Sequence, residues 1–233
     1  AKTGAVTWAG PALGEDFGPS QEPDDIMQAC FDDLLMEQGE GTGWQLPKAE
    51  AERRVLVKDA PLWGGNLTVL TSLLGTPYFP QIKGGVLFLE DVGEHPYRIE
   101  RMLTQLLYAG VLARQKAIVL GHFTNYKPVP HDKGYRLQTV VDWLQAQIKL
   151  PILQGLPFGH VPTKVLLPNG APVQLAVEDR DAFDKHVRHV AQIERHLDFK
   201  ALAIELDAPR LATAGARDVQ EQPDVRVVII AVH

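Results

Sequence analysis

The chain has 233 residues, of which 45% are hydrophobic and 22% charged, and its formal net charge is −6. That length supports a sizeable core and that balance excludes wholesale disorder, while the acidic charge excludes a nucleic-acid binder working by charge alone. Cys30 is the single cysteine, so neither an internal disulfide nor a cysteine-based zinc site can form. No apolar run approaches the length of a membrane span, and the opening AKTGAVTWAGPALG is too thin in apolar residues to read as a signal peptide.

In chain order, GAVTW at 4–8 predicts a short strand, followed by turn residues. Asp24 or Asp25 caps a predicted helix through DIMQACFDDLLMEQ, with Ile26, Cys30 and Leu34 at helical spacing. Gly-rich GEGTG at 39–43 then marks a domain boundary. RRVLVKD at 53–59 predicts a strand, and LWGGNLTVLTSLLGTPYFP predicts a loop running into a helix with a Leu67, Leu70, Leu74 stripe. The stretch GGVLFLEDVGEHPYRIERML holds a buried strand, 86–89, that ends in Glu90 and Asp91; a helix follows, with Pro96 suited to its first turn. KAIVLGHF predicts another buried strand, GYRLQTVVDWLQAQI a helix, and PILQGLPFGH a strand entering a loop. VLLPNGAPVQLAVE reads as a hairpin turned at PNG.

The alternation of strand and helix from 53 to 160 predicts an α/β domain with a mixed or parallel sheet. Residues 181–233 read differently: a His- and Arg-rich helix (AFDKHVRHVAQIERHL), a strand-like ALAIEL, a polar helix, and RVVIIAVH as a buried strand.

In open α/β sheets, ligands gather outside the carboxyl ends of the strands. Three tips share that address here: EDVGEH, GHFTNY and LPFGH. A carboxylate and a histidine meeting there would be the orienting and basic members of a nucleophilic triad. Such residues more commonly serve as ordinary polar strand ends, and spacing alone does not choose the triad over that reading. Glu90, Asp91, Glu94 and His95 lie within six positions, but no HExxH spacing occurs. His186, His189 and His196 sit on a segment of alternating charge that reads as a solvated face, so no metal centre is expected. LPNG at 167–170 fits a turn; GxxxxGK[ST], GxGxxG and GxSxG are absent, which leaves a nucleotide role without support. The serines are Ser20, in a Pro-rich loop, and Ser72, inside a predicted helix, and neither suits a nucleophile.

Three blocks carry a resemblance: GGNLTVLTSLLGTPYFP, GGVLFLEDVGEHPYRIERMLTQL and LPFGHVPTKVLLPNGAPVQL. Over residues 1 to about 178 the chain resembles the LD-carboxypeptidase family, the muramoyltetrapeptide carboxypeptidases of peptidoglycan recycling, related to the microcin C self-immunity peptidases. The resemblance implies a cytoplasmic serine hydrolase with a Ser-Glu-His triad that removes the terminal D-alanine of a murein tetrapeptide. It implies no cofactor, no nucleic-acid or membrane partner, and a homodimer. By position in the family's blocks it places the glutamate on Glu90 and the histidine on His160, seventy residues apart. Asp91 and Glu94 become supporting residues, and Asn66, after Gly64 and Gly65, becomes a substrate-side loop residue.

On the same resemblance, residues 1–43 are the end and hinge of an N-terminal α/β nucleophile domain, 44–180 the C-terminal catalytic domain with its mixed sheet, and 181–233 an extra segment. The family's nucleophile sits in a GFSD- or GYSD-like turn, and its oxyanion hole uses an RGGYG-like block; neither string occurs here. The 233 residues alone are therefore expected to be inactive, as the C-terminal portion of an intact enzyme. Two alternatives carry forward: a non-catalytic module that binds muropeptides or a partner, and a peptidase acting on a peptide-nucleotide antibiotic.

Overall fold

Continuous apolar runs need cover on both faces, and the computed structural model, which describes residues 4–19, 22–36, 41–46, 55–179 and 225–231, provides it. Its elements in chain order are β1 (Thr7–Ala9), α1 (Leu13–Asp16), α2 (Asp25–Leu35), β2 (Thr42–Gln45), β3 (Leu56–Asn66), α3 (Leu67–Ser72), β4 (Val86–Val92), α4 (Pro96–Tyr108), β5 (Ala117–Thr124), α5 (Leu137–Gln147), β6 (Ile152–Gln154), β7 (Leu167–Asn169), β8 (Pro172–Asp179) and β9 (Val225–Ala231). One mixed seven-stranded sheet runs β2-β9-β8-β3-β4-β5-β6, and β1 pairs with β7 in a small sheet of its own. The stretch β3-β4-β5-β6 is parallel, with α3, α4 and α5 as its crossovers; β8 and β9 join antiparallel.

Strand alternation divides the core in two. Leu87, Leu89, Ile118 and Leu120 pack on one face with Ile99, Leu103 and Leu106 of α4 and Val140, Val141 and Leu144 of α5. Val86, Phe88, Ala117 and Val119 pack on the other with Leu156, Val165, Leu167 and Val173. Residues 99, 103 and 106 recur at helical spacing, so α4 presents one buried stripe, and each such side chain contributes about 2 kcal/mol by leaving water.

The structure redraws several expected elements. LWGG is strand rather than loop: β3 runs on to Asn66 because Leu62–Asn66 pair in parallel register with Val86–Glu90. The hairpin expected over 164–178 does not form, because Leu62 of β3 takes both the Gly170 amide (2.7 Å) and the Ala171 carbonyl (2.9 Å) at the turn. β7 and β8 consequently join different sheets. On α2, Asp24 is the cap, its carboxylate accepting the Met27 amide at 3.0 Å. Met27 is the buried anchor there and Ile26 is exposed, one position off the expected stripe. Thr42 and Gly43 of GEGTG belong to β2, which pairs with β9, so RVVIIAVH enters the sheet as a strand through Ala231, its last two residues lying outside the described residues. The histidine-rich helix and the ALAIEL segment lie outside the described residues. No described helix is long and apolar enough to cross a membrane.

Candidate active site

The carboxyl ends of β4 and β5 and the loop after β6 come together, and β4 sends its last two acidic residues to opposite faces. Glu90 follows Val86 and Phe88 to the face where Phe158 stacks edge-on against Phe88, with ring centroids 5.4 Å apart. Asp91 follows Leu87 and Leu89 to the helical face. Register fixes both: in β5 the pairing shifts between the partners of Leu89 and Asp91, so a bulge at Gly121 and His122 lies opposite Glu90.

On its face Glu90 meets His160. Nδ1 of His160 stands 3.3 Å from Oε2 of Glu90, and the two side chains are 46% and 7% exposed respectively. Backbone clearance makes this approach feasible. Gly159 holds φ +119°, and a Cβ there would sit 3.1 Å from Glu90 Oε2 and 3.0 Å from the His122 carbonyl. At Gly121 a Cβ would press on the Phe158 carbonyl at 2.6 Å. The His122 amide donates to that same carbonyl at 2.8 Å, which ties the His160 loop to the bulge. Partial burial also lowers the His122 imidazole below the ordinary histidine range.

Chemically, a buried carboxylate on Nδ1 orients an imidazole. An Nδ1–H donated to Glu90 leaves Nε2 with its lone pair, which suits proton transfer at that nitrogen. A 3.3 Å separation is at the long end of such a bond.

Asp91 does different work. It accepts from Thr68 N (2.9 Å), Thr68 Oγ1 (2.8 Å), Asn66 Nδ2 (3.1 Å) and its neighbour's amide, Val92 N (2.8 Å). Asn66 is the cap of α3, where its Oδ1 accepts the Val69 amide at 3.0 Å. The residue stands in register with Glu90 across the β3–β4 pairing, one strand from the histidine contact. Both bonds of the Asn66 side chain named here run within the protein, joining β4 to the start of α3.

The remaining members of the acidic cluster disperse. Glu94 lies 3.6 Å from Arg98, one turn into α4. His95 Nε2 contacts Asp132 Oδ2 at 3.1 Å, and its ring lies 4.5 Å from that of Tyr97. The Val129 amide at 2.6 Å, and then His95, hold the Asp132 carboxyl below the usual carboxylate range. Ser72 donates its hydroxyl to the Val69 carbonyl of its own helix at 2.6 Å. Sequence reading passed over Thr68, Gly121, Gly159 and Asp132; the two glycines, each beside a strand tip, were the one visible signal.

Residues 59–175 match the LD-carboxypeptidase C-terminal domain. The chain is 33% identical over 183 residues to the Probable murein peptide carboxypeptidase of Bacillus subtilis (strain 168), covering 77% of this chain and 56% of that protein. It is 27% identical over 208 residues to the Microcin C7 self-immunity protein MccF of Escherichia coli, covering 76% of this chain and 58% of the other. The crystal structure of muramoyltetrapeptide carboxypeptidase from Oxalobacter formigenes superposes with a TM-score of 0.69 at 32% identity, over 98% of this chain and 63% of that one. The chain thus spans a little over half the length of the relatives it matches. With half its residues in the matched domain and its mixed α/β sheet shared with these relatives, the chain belongs to the LD-carboxypeptidase family.

Proposed function

We propose that this chain supplies the base side of a serine LD-carboxypeptidase that releases the terminal D-alanine of a murein tetrapeptide in peptidoglycan recycling in the cytoplasm. The observation that carries the reading is the contact between buried Glu90 and half-exposed His160, seventy residues apart in sequence and 3.3 Å apart in space. In this reading Glu90 stabilises the imidazolium and fixes the tautomer. His160 takes the proton of a serine hydroxyl as the oxygen attacks the scissile carbonyl, then returns it to the departing D-alanine amine. Asn66 is proposed to stand at the substrate side of the β3 tip. The serine and its oxyanion donors belong to the GFSD- or GYSD-like and RGGYG-like blocks of the family, which these 233 residues do not contain.

Incubation of the natural gene product with murein tetrapeptide, with free D-alanine as the readout, tests this reading. Release that stops at the tripeptide and is lost in His160→Ala supports it. Saturable tetrapeptide binding without release would instead favour the non-catalytic module. The similarity to the microcin C7 self-immunity protein keeps a peptide-nucleotide substrate as a second reading. Hydrolysis of an aminoacyl sulfamoyl adenosine in preference to the tetrapeptide would favour it.

A further inference from the structure

His160 sits in a loop without regular secondary structure, closed at its base where the Val165 amide donates to the Pro157 carbonyl at 2.9 Å. Its ring is half-exposed, so packing does little to fix it, and its carbonyl accepts a long bond, 3.4 Å, from Thr124 Oγ1. The far side of this loop is tied to the N-terminal segment. Lys164 forms an ion pair with Asp16 in which the side chains are only 12% and 4% exposed. Next to it, Thr163 Oγ1 donates to Asp24 Oδ2 at 2.8 Å.

Both N-terminal partners are themselves held in place. Asp16 accepts the Ala12 amide at 2.7 Å and Asp24 caps α2 at 3.0 Å. The β1–β7 pairing and the close seat of Gly10 under Leu166 continue the same contact along the chain. An ion pair buried to this degree gains little stability over an apolar pair of the same size, since both charges lose their water. What it supplies is a single permitted geometry, because an unpaired buried charge is costly in every other arrangement.

We infer that the Asp16–Lys164 ion pair, together with Asp24 and Thr163, is a clamp by which the N-terminal segment sets the position of His160 against Glu90. The four are positioning residues and act on the reaction through the histidine. The inference rests on the proposed reading of Glu90 and His160 as orienter and base. It also gives Asp16 and Asp24 a role at the site, although they lie outside the matched domain at 59–175.

The test is the tautomer of the His160 ring, read from its two ¹⁵N shifts by NMR at alkaline pH on the 233-residue chain. The parental chain is expected to show the Nδ1–H form that donation to Glu90 selects. The double variant Asp16→Asn, Lys164→Gln removes both charges at nearly constant size; it is expected to melt cooperatively while His160 reverts to the Nε2–H form that free histidine prefers. An unchanged Nδ1–H ring in that folded variant overturns the clamp and leaves the pairing with Glu90 standing. If the double variant does not fold, Thr163→Val decides: a mixed or Nε2–H ring supports the clamp, and a parental ring overturns it. Absence of the Nδ1–H form in the parental chain would overturn the pairing itself, and the clamp with it.

Discussion

Glu90 and Asp91 are adjacent carboxylates that share a strand and differ in almost everything else, because alternation along β4 turns them to opposite faces. Asp91 is saturated by the start of α3. Its replacement by Ala leaves the Thr68 amide without its acceptor and is predicted to cost about 3 kcal/mol, read as a shift in the urea midpoint at constant slope. Glu90 has instead the His160 contact, so Glu90→Gln is predicted to preserve folding and to remove most activity from the full enzyme. Gly159→Ala separates geometry from chemistry. An L-residue at φ +119° strains the loop and its Cβ presses on Glu90 Oε2, so a tenfold or greater loss of activity is expected with the Glu90 and His160 side chains both intact. Which of the two carboxylates would reach a histidine was not legible from spacing. Alternation says only that they part; the face that holds His160 is set by the fold of residues 155–165, and family resemblance alone pointed to Glu90.

At the scale of elements, the β5–α5 connection is fastened to α4 at two points: His95 with Asp132, and Tyr135 Oη donating to Glu100 Oε2 at 2.7 Å. Burial, and then the bond to Glu100, raise the Tyr135 phenol above its ordinary value. A group whose folded pKa is raised contributes its stability below the unfolded value, about 10 for tyrosine, and loses it as pH rises further. Tyr135→Phe is therefore predicted to lower stability by about 1 kcal/mol at neutral pH and to flatten the alkaline fall, measured by denaturant unfolding across that range. Asp132 has the opposite sign. Its folded pKa is depressed, so its contribution is present above about pH 4 and fades as pH falls through the folded value, and Asp132→Asn should remove that acid-side loss. The parallel strands and their crossover helices were legible because their periods are strong. The break between β7 and β8 was not: PNG is a sound turn signal, and only the arrival of β3 at Leu62 separates the strands it would have joined.

Over the whole molecule, three parallel strand tips converge on one edge, as the open-sheet rule requires, and the N-terminal segment lies along the loop that carries His160. Sequence order hid this second feature, because Asp16 and Lys164 are 148 residues apart and nothing in either local stretch names the other as its partner. In the proposed mechanism Glu90 and His160 act as one catalytic unit. A double-mutant cycle on D-alanine release by the natural gene product measures this directly, with kcat/KM determined for Glu90→Gln, His160→Ala and the pair together. Each single change is predicted to lower kcat/KM by about 10⁴-fold, and the double change by no more than about tenfold beyond either. Losses that multiply in the double variant, or a single variant within tenfold of the parent, would contradict the account.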